Sequence, residues 1–132
     1  MASKEQWLVV AVDSLESASA LSERERWRSA VSRSYYAAHA AAHALVVHFE
    51  PARGDAPRSI RHVDLPPTLR GCLRRLPNSL PLARLAHDEL VEAYNLRIVA
   101  DYKPGLPIDS PAYDQARKAA ARMIYSAKKV IT

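Results

Sequence analysis

Trp27-Arg-Ser-Ala-Val-Ser-Arg33-Ser-Tyr35-Tyr36-Ala-Ala-His39-Ala-Ala-Ala-His43-Ala-Leu45-Val-Val-His-Phe49 is the stretch that decides the fold. It contains no glycine or proline, and Pro51 stops it. Trp27, Val31, Ser34, Ala38, Ala41, Leu45 and Phe49 form one stripe at helical spacing, while Tyr36, Ala37, Ala40, Ala44 and Val47 form a second. A helix with two packing faces belongs at the centre of a helical protein. Its alanine methyls allow close backbone approach, at the middle of a bundle or across a two-fold axis where identical helices cross.

Working outward, Ser22 with Glu25 offers a capping box that predicts the central helix over residues 23–49. Upstream, Ser3 with Gln6 offers another, and Leu8, Ala11, Val12, Leu15 and Ala18 carry a first helix to about Leu21. Downstream, Pro51, Gly54, Pro57, Pro66 and Pro67 punctuate the chain. A short helix is predicted from Pro67 to about Leu76, before Pro77 and Pro81 interrupt again. Residues 82–102 keep Ala86, Leu90, Tyr94 and Arg97 in register and close at Lys103-Pro104-Gly105. Ser110-Pro111 opens a last helix to about Val130, with Ala116, Ala119, Ala120, Met123, Ala127 and Val130 as its apolar stripe. No alternating β-branched run and no internal repeat occurs. The expected architecture is all-α, an up-and-down bundle of four main helices plus a short fifth.

The 132 residues fit a single domain over 1–132, and 48% hydrophobic residues supply a core without disulfides or metal staples. The lone Cys72 forbids an internal disulfide and points to a reducing, cytoplasmic setting. Lys4, Glu5 and Asp13 break up the N-terminal apolar residues, so no signal peptide is expected, and no run of about 18 apolar residues suits a bilayer. Net charge is +5, and residues 51–84 alone carry +5 through Arg53, Arg58, Arg61, Arg70, Arg74, Arg75 and Arg84 against Asp55 and Asp64. Guanidinium groups bind phosphate in two-pronged fashion, so this segment is either an RNA, DNA or acidic-partner surface or a solvated helix face.

Arg97 and Asp101 stand four apart on the continuation of the Leu90 and Tyr94 stripe, and Tyr102 follows. Polar groups on a packed stripe must be paired or line a cleft. They can pair with each other or with Arg33 and Tyr36 of the central helix as a structural network, or they can form a working site. Tyr35 and Tyr36 point about 100 degrees apart on a helix, so one ring can fill the core while the other's hydroxyl meets a polar partner. His39 and His43 share a metal-chelating i, i+4 spacing without a third ligand on that helix, which leaves them as interface or surface residues. His62 lies just before the short helix as a cap or a site residue, and His48 and His87 have no motif around them. No glycine-rich phosphate loop is present, no metal or cofactor is expected, and no serine or cysteine nucleophile has an evident base.

Arg28-x4-Arg33-Ser-Tyr35-Tyr36-Ala-x2-Ala40-Ala41, followed by Leu96-Arg97-x2-Ala100-Asp101-Tyr102 and a final alanine-rich helix, resembles the HEPN family (higher eukaryotes and prokaryotes nucleotide-binding domain) over roughly residues 5–130. His62 also falls where many relatives place a histidine. The resemblance implies a bundle of four to five helices that dimerises, with the arginine motifs of both subunits facing one cleft. It further implies a metal-independent ribonuclease, of the kind that small bacterial members supply as a toxin paired with a minimal nucleotidyltransferase.

In one respect the chain departs from the catalytic members, which carry Arg-x4-6-His. Here Tyr102 stands at x4 and no histidine follows. A phenol, ordinarily protonated at neutral pH, can donate to a phosphate but makes a poor general base. The expectation is therefore a toxin-type, RNA-directed protein with Arg97 and Tyr102 as catalytic residues and Arg33, Tyr36, His62 and Asp101 binding RNA or nucleotide. The alternative is a non-catalytic nucleotide- or partner-binding subunit in which the Arg/Asp/Tyr network is structural. A major-groove DNA reader is disfavoured by the absence of a helix-turn-helix signature.

Overall fold

The computed structural model describes residues 2–55 and 60–132. Five α-helices run in chain order: α1 Lys4–Glu23, α2 Trp27–Phe49, α3 Leu65–Leu73, α4 Leu80–Tyr102 and α5 Ser110–Ile131, with a 3-10 turn at Pro51–Asp55 after α2. No strand occurs among the described residues. None of their helices is long and apolar enough to cross a membrane.

The central position expected for the alanine-rich helix is realised. α2 packs against α1, α3, α4 and α5, and Ala37, Ala38, Ala41, Ala42, Ala44, Leu45 and Val46 have no exposed surface. Methyl side chains let neighbouring helices crowd α2 from all sides, and bulkier residues on those neighbours fill the gaps. Leu65, Leu69 and Leu73 of α3, Leu90 of α4 and Met123 and Ile124 of α5 join α2 in the main core. A smaller cluster of Ala18, Ala30, Val31, Ala100, Tyr113 and Ala116 closes the other end, backed by Trp27 and Leu96.

Helix ends follow local chemistry, and several depart from expectation. The Ser3–Gln6 capping box forms, with Ser3 Oγ accepting from Gln6 N at 3.1 Å and Gln6 Oε1 accepting from Ser3 N at 2.8 Å. The Ser22–Glu25 box does not. Ser22 remains inside α1, and the chain reverses through a Schellman turn in which Arg26 N donates to Leu21 O and Glu25 N to Ser22 O. Glu25 sits at φ 56 in this turn, so α2 begins at Trp27 rather than at residue 23. α3 starts at Leu65 and ends at Leu73, earlier at both ends than expected: Pro66 and Pro67 are accepted in its first turn, and Ser79 Oγ donates to Leu73 O (2.6 Å) and Leu76 O (2.5 Å) beyond it. Pro81 likewise lies within the first turn of α4, which begins at Leu80 instead of residue 82. At α5 the cap is Asp109, whose Oδ1 accepts from Ala112 N at 3.1 Å, one residue before the expected Ser110.

One contact fixes the end of α4 that matters for the site. The Arg28 guanidinium of α2 donates from Nη1 to Val99 O and Ala100 O, both at 3.1 Å, and to Lys103 O at 3.3 Å. Its Nη2 donates to Pro104 O at 3.3 Å and to Leu106 O. A cation here serves the Ala100 carbonyl of the last turn, adds to the bond that Val99 O already accepts from Lys103 N, and opposes the negative end of the helix dipole.

Candidate functional site

The last two turns of α4 lie beside the first half of α2, and this junction gathers the polar residues singled out in the sequence. Arg97 is the hub. Its Nε donates to Asp101 Oδ2 at 2.9 Å, and its Nη2 donates to the hydroxyls of Tyr36 at 2.8 Å and Tyr102 at 3.3 Å. Ser32 Oγ donates to the same Asp101 oxygen at 3.2 Å, so one carboxylate ties α2 to α4 and orients the guanidinium. The Arg97 side chain is 11% exposed. No described residue engages its Nη1, which is not among the sealed polar atoms, and this leaves one prong of the fork for a ligand.

A second guanidinium stands nearby: Arg33 Cζ lies 4.9 Å from the centroid of the Tyr36 ring and Arg97 Cζ 5.3 Å from it. Two cations around one phenol, offset by the single carboxylate of Asp101, make a locally positive site. Tyr102, at 64% exposure, presents its ring to solvent at the margin.

His62 enters from the segment between α2 and α3. The Tyr35 hydroxyl lies 2.5 Å from its Nδ1. The ring stacks on Tyr94, with centroids 5.5 Å apart and planes inclined by 22°, and stands 6.2 Å from the Tyr36 ring. Burial, then the Arg97 charge, push its pKa below the ordinary histidine value, so the ring is neutral at pH 7. Arg33, Tyr36, His62, Arg97, Asp101 and Tyr102 are thus brought together at one junction.

His39 and His43 are not surface residues. Both are buried behind the site because α2 has no solvent-facing side along this stretch. His43 Nδ1 donates to His39 O at 3.0 Å, its Nε2 accepts from Ile60 N at 3.2 Å, and its ring stacks on Trp7. That bonding requires a neutral ring, and burial lowers its pKa despite the bond to His39. Burial, followed by the neighbouring His43, His62 and Arg97, takes His39 down to about 3. Its Nε2 is sealed from solvent with no partner among the described residues. Among those residues no three His, Cys, Asp or Glu side chains converge as metal ligands.

The arginine-rich segment divides. Arg53 and Arg75 pair with Glu50 at 2.6 and 3.1 Å, and Arg61 pairs with Asp64 at 2.7 Å. Arg70, Arg74 and Arg84 have no acidic partner among the described residues, and Arg58 lies outside them. Cys72 is buried, its Sγ donating to Glu50 Oε2 at 3.2 Å; burial and then the Glu50 bond raise its pKa to about 11, so it stays a thiol.

Sequence reasoning passed over Ser32, which anchors Asp101, and gave no supporting role to residues it did name: Tyr35 and Tyr94, which hold His62, and Arg28, which holds the end of α4. Arg28, Ser32 and Tyr36 recur at i, i+4 and i+8, a polar stripe facing the end of α4 that attention to apolar spacing alone passes over.

A family model described as HEPN domain matches residues 4–132. No curated protein sequence matches the chain.

Proposed function

The chain belongs to the HEPN-domain family, and from that premise we propose that it is an RNA-directed protein whose ligand phosphate sits on Arg97. The observation that carries this reading is the Arg97 fork, locked on two edges by Asp101 and by the Tyr36 and Tyr102 hydroxyls, with Nη1 left over. A preorganised guanidinium is complementary to a phosphodiester and to charge developing on it, and it need not reorganise when that charge appears. Arg33 supplies a second cation, Tyr102 a hydroxyl and an exposed ring at the margin, and Tyr36 and Asp101 hold the fork in place. Arg97 and Tyr102 are the catalytic pair in this reading, with Arg33, Tyr36, His62 and Asp101 binding the RNA.

The biological setting that fits is a cytoplasmic homodimeric toxin held in check by a small nucleotidyltransferase partner. The test is incubation of labelled RNA with the wild type and with Arg97→Ala in the presence of a chelator. Cleavage by the wild type that is lost in a folded Arg97→Ala supports the reading. A wild type that neither degrades RNA nor slows growth when expressed without a partner removes the enzymatic part.

One observation favours a non-catalytic second reading: no imidazole follows Arg97 at the usual spacing. In that case the α2–α4 junction binds nucleotide or partner without cutting, and Arg97→Ala shows chiefly as a lower melting temperature.

A further inference from the structure

His62 contributes an imidazole to the Arg97 junction from a different part of the chain, and its surroundings determine what that imidazole can do. Tyr35 is 1% exposed. Its hydroxyl has one polar partner among the described residues, His62 Nδ1 at 2.5 Å. Burial raises the Tyr35 pKa above the ordinary phenol value, so the hydroxyl keeps its proton. A buried phenol that keeps its proton must donate it, because an unmade buried hydrogen bond is costly. The acceptor within reach is Nδ1, which therefore carries the lone pair. In a neutral ring the proton then resides on Nε2.

Ring orientation is fixed as firmly as the tautomer. Tyr94 stacks against one face, and the His39 ring stands 4.6 Å away between centroids. With Nδ1 turned inward to Tyr35, Nε2 lies on the other side of the ring. His62 is only partly buried, and Nε2 is not among the sealed polar atoms. The ring of Tyr36, whose hydroxyl accepts from Arg97, stands 6.2 Å from the His62 ring between centroids, so the imidazole lies next to the Arg97 cluster.

We propose that His62 is a phosphate-binding residue of the Arg97 site, a neutral imidazole that donates Nε2–H to a non-bridging oxygen of bound RNA, and that Tyr35 is the positioning residue that fixes this tautomer. The inference rests on the RNA-directed reading above and adds a defined role for the ring. His62 acts as a hydrogen-bond donor alongside Arg97, and it does not stand in as the general base for the histidine absent after Arg97.

The test has two arms. Long-range nitrogen-proton NMR on histidine-labelled wild type at pH 7 is expected to show His62 with an unprotonated Nδ1 and a protonated Nε2. The opposite tautomer, or an imidazolium, overturns the inference. In the second arm, binding of a fluorescent single-stranded oligouridylate is measured for the wild type, Arg97→Ala, His62→Ala, His62→Gln and Tyr35→Phe, with circular dichroism confirming fold. His62→Ala is expected to weaken binding about tenfold or more, as for loss of a hydrogen bond to a charged group. His62→Gln, which retains a side-chain N–H donor, recovers most of that loss, and Tyr35→Phe gives an intermediate loss together with a mixed tautomer signal. Wild-type affinity in a folded His62→Ala overturns this inference alone, provided Arg97→Ala has lost binding. If the wild type fails to bind the oligonucleotide, or Arg97→Ala binds as the wild type does, the RNA-directed reading falls and takes the inference with it.

Discussion

Arg28 Nη1 lies 3.1 Å from the carbonyl oxygen of Ala100, seventy-two positions along the chain, and joins the start of α2 to the end of α4. The same guanidinium also serves Val99, Lys103 and Pro104. Arg97, Asp101 and Tyr102 stand on the turn and a half that this contact holds. Arg28→Ala is therefore expected to lower stability by about 2 kcal/mol, since two partly buried carbonyls, those of Val99 and Ala100, lose a charged donor. Ligand affinity should fall as well, because the end of α4 frays. Arg28→Lys restores the charge but not the fork and should recover less than half of the loss. Chemical denaturation and oligonucleotide binding on the same samples check both effects.

Tyr36 and Arg97 form the shortest hydrogen bond of the Arg97 cluster, at 2.8 Å. Tyr36→Phe keeps the ring that both guanidiniums approach and removes only the acceptor. A double-mutant cycle of Tyr36→Phe with Arg97→Ala is expected to return a coupling energy of about 1 kcal/mol in stability. Additive effects would show that the bond contributes nothing in solution, and the rigidity assigned to the Arg97 fork would have to come from Asp101 and Tyr102.

The bundle was legible because its helices are long and periodic. α2 has no breaker from Trp27 to Phe49, and the stripe of α5 emerged buried at Ala116, Ala119, Ala120, Met123 and Ala127. Helix ends were less legible. Ser22 and Glu25 have the right identities for a capping box, yet the chain used Ser22 as a carbonyl acceptor in the preceding helix and placed Glu25 in the left-handed turn. Short-range signals of that kind compete, and tertiary packing of α1 against α2 decides between them. The six polar residues expected at the site meet at the α2–α4 junction because Arg97, Asp101 and Tyr36 interrupt stripes that are otherwise apolar. What sequence spacing could not convey was depth: His39 and His43 look like exposed polar positions until α2 is seen to be enclosed on every side.

Glu25 tests the price of the α1–α2 turn. A residue with a β-carbon at φ 56 carries conformational strain of about 1 kcal/mol or more, which glycine avoids at the cost of greater freedom in the unfolded chain. Glu25→Gly is therefore expected to raise stability by about 0.5 to 1 kcal/mol, and Glu25→Val to lower it, without changing the helical content seen by circular dichroism. A destabilised Glu25→Gly would mean that the carboxylate itself holds the turn.

Acid should weaken the fold through His39. Its folded pKa is depressed to about 3, from an ordinary histidine value of 6.5, by burial and then by His43, His62 and Arg97. The unfolded chain therefore takes up a proton near pH 6.5 that the native state refuses. His39 leaves stability unaffected above that pH, and below it stability is lost as pH falls, by up to about 1.4 kcal/mol for each pH unit until the native ring itself titrates. His43 and His62 are shifted in the same direction and steepen the loss. Denaturation midpoints at pH 7 and pH 5 measure it. His39→Leu removes one titrating ring and also eliminates the sealed, unpartnered Nε2, so it should flatten the pH dependence at little cost to stability at pH 7. An unchanged slope in that variant would place the acid sensitivity in the other two rings.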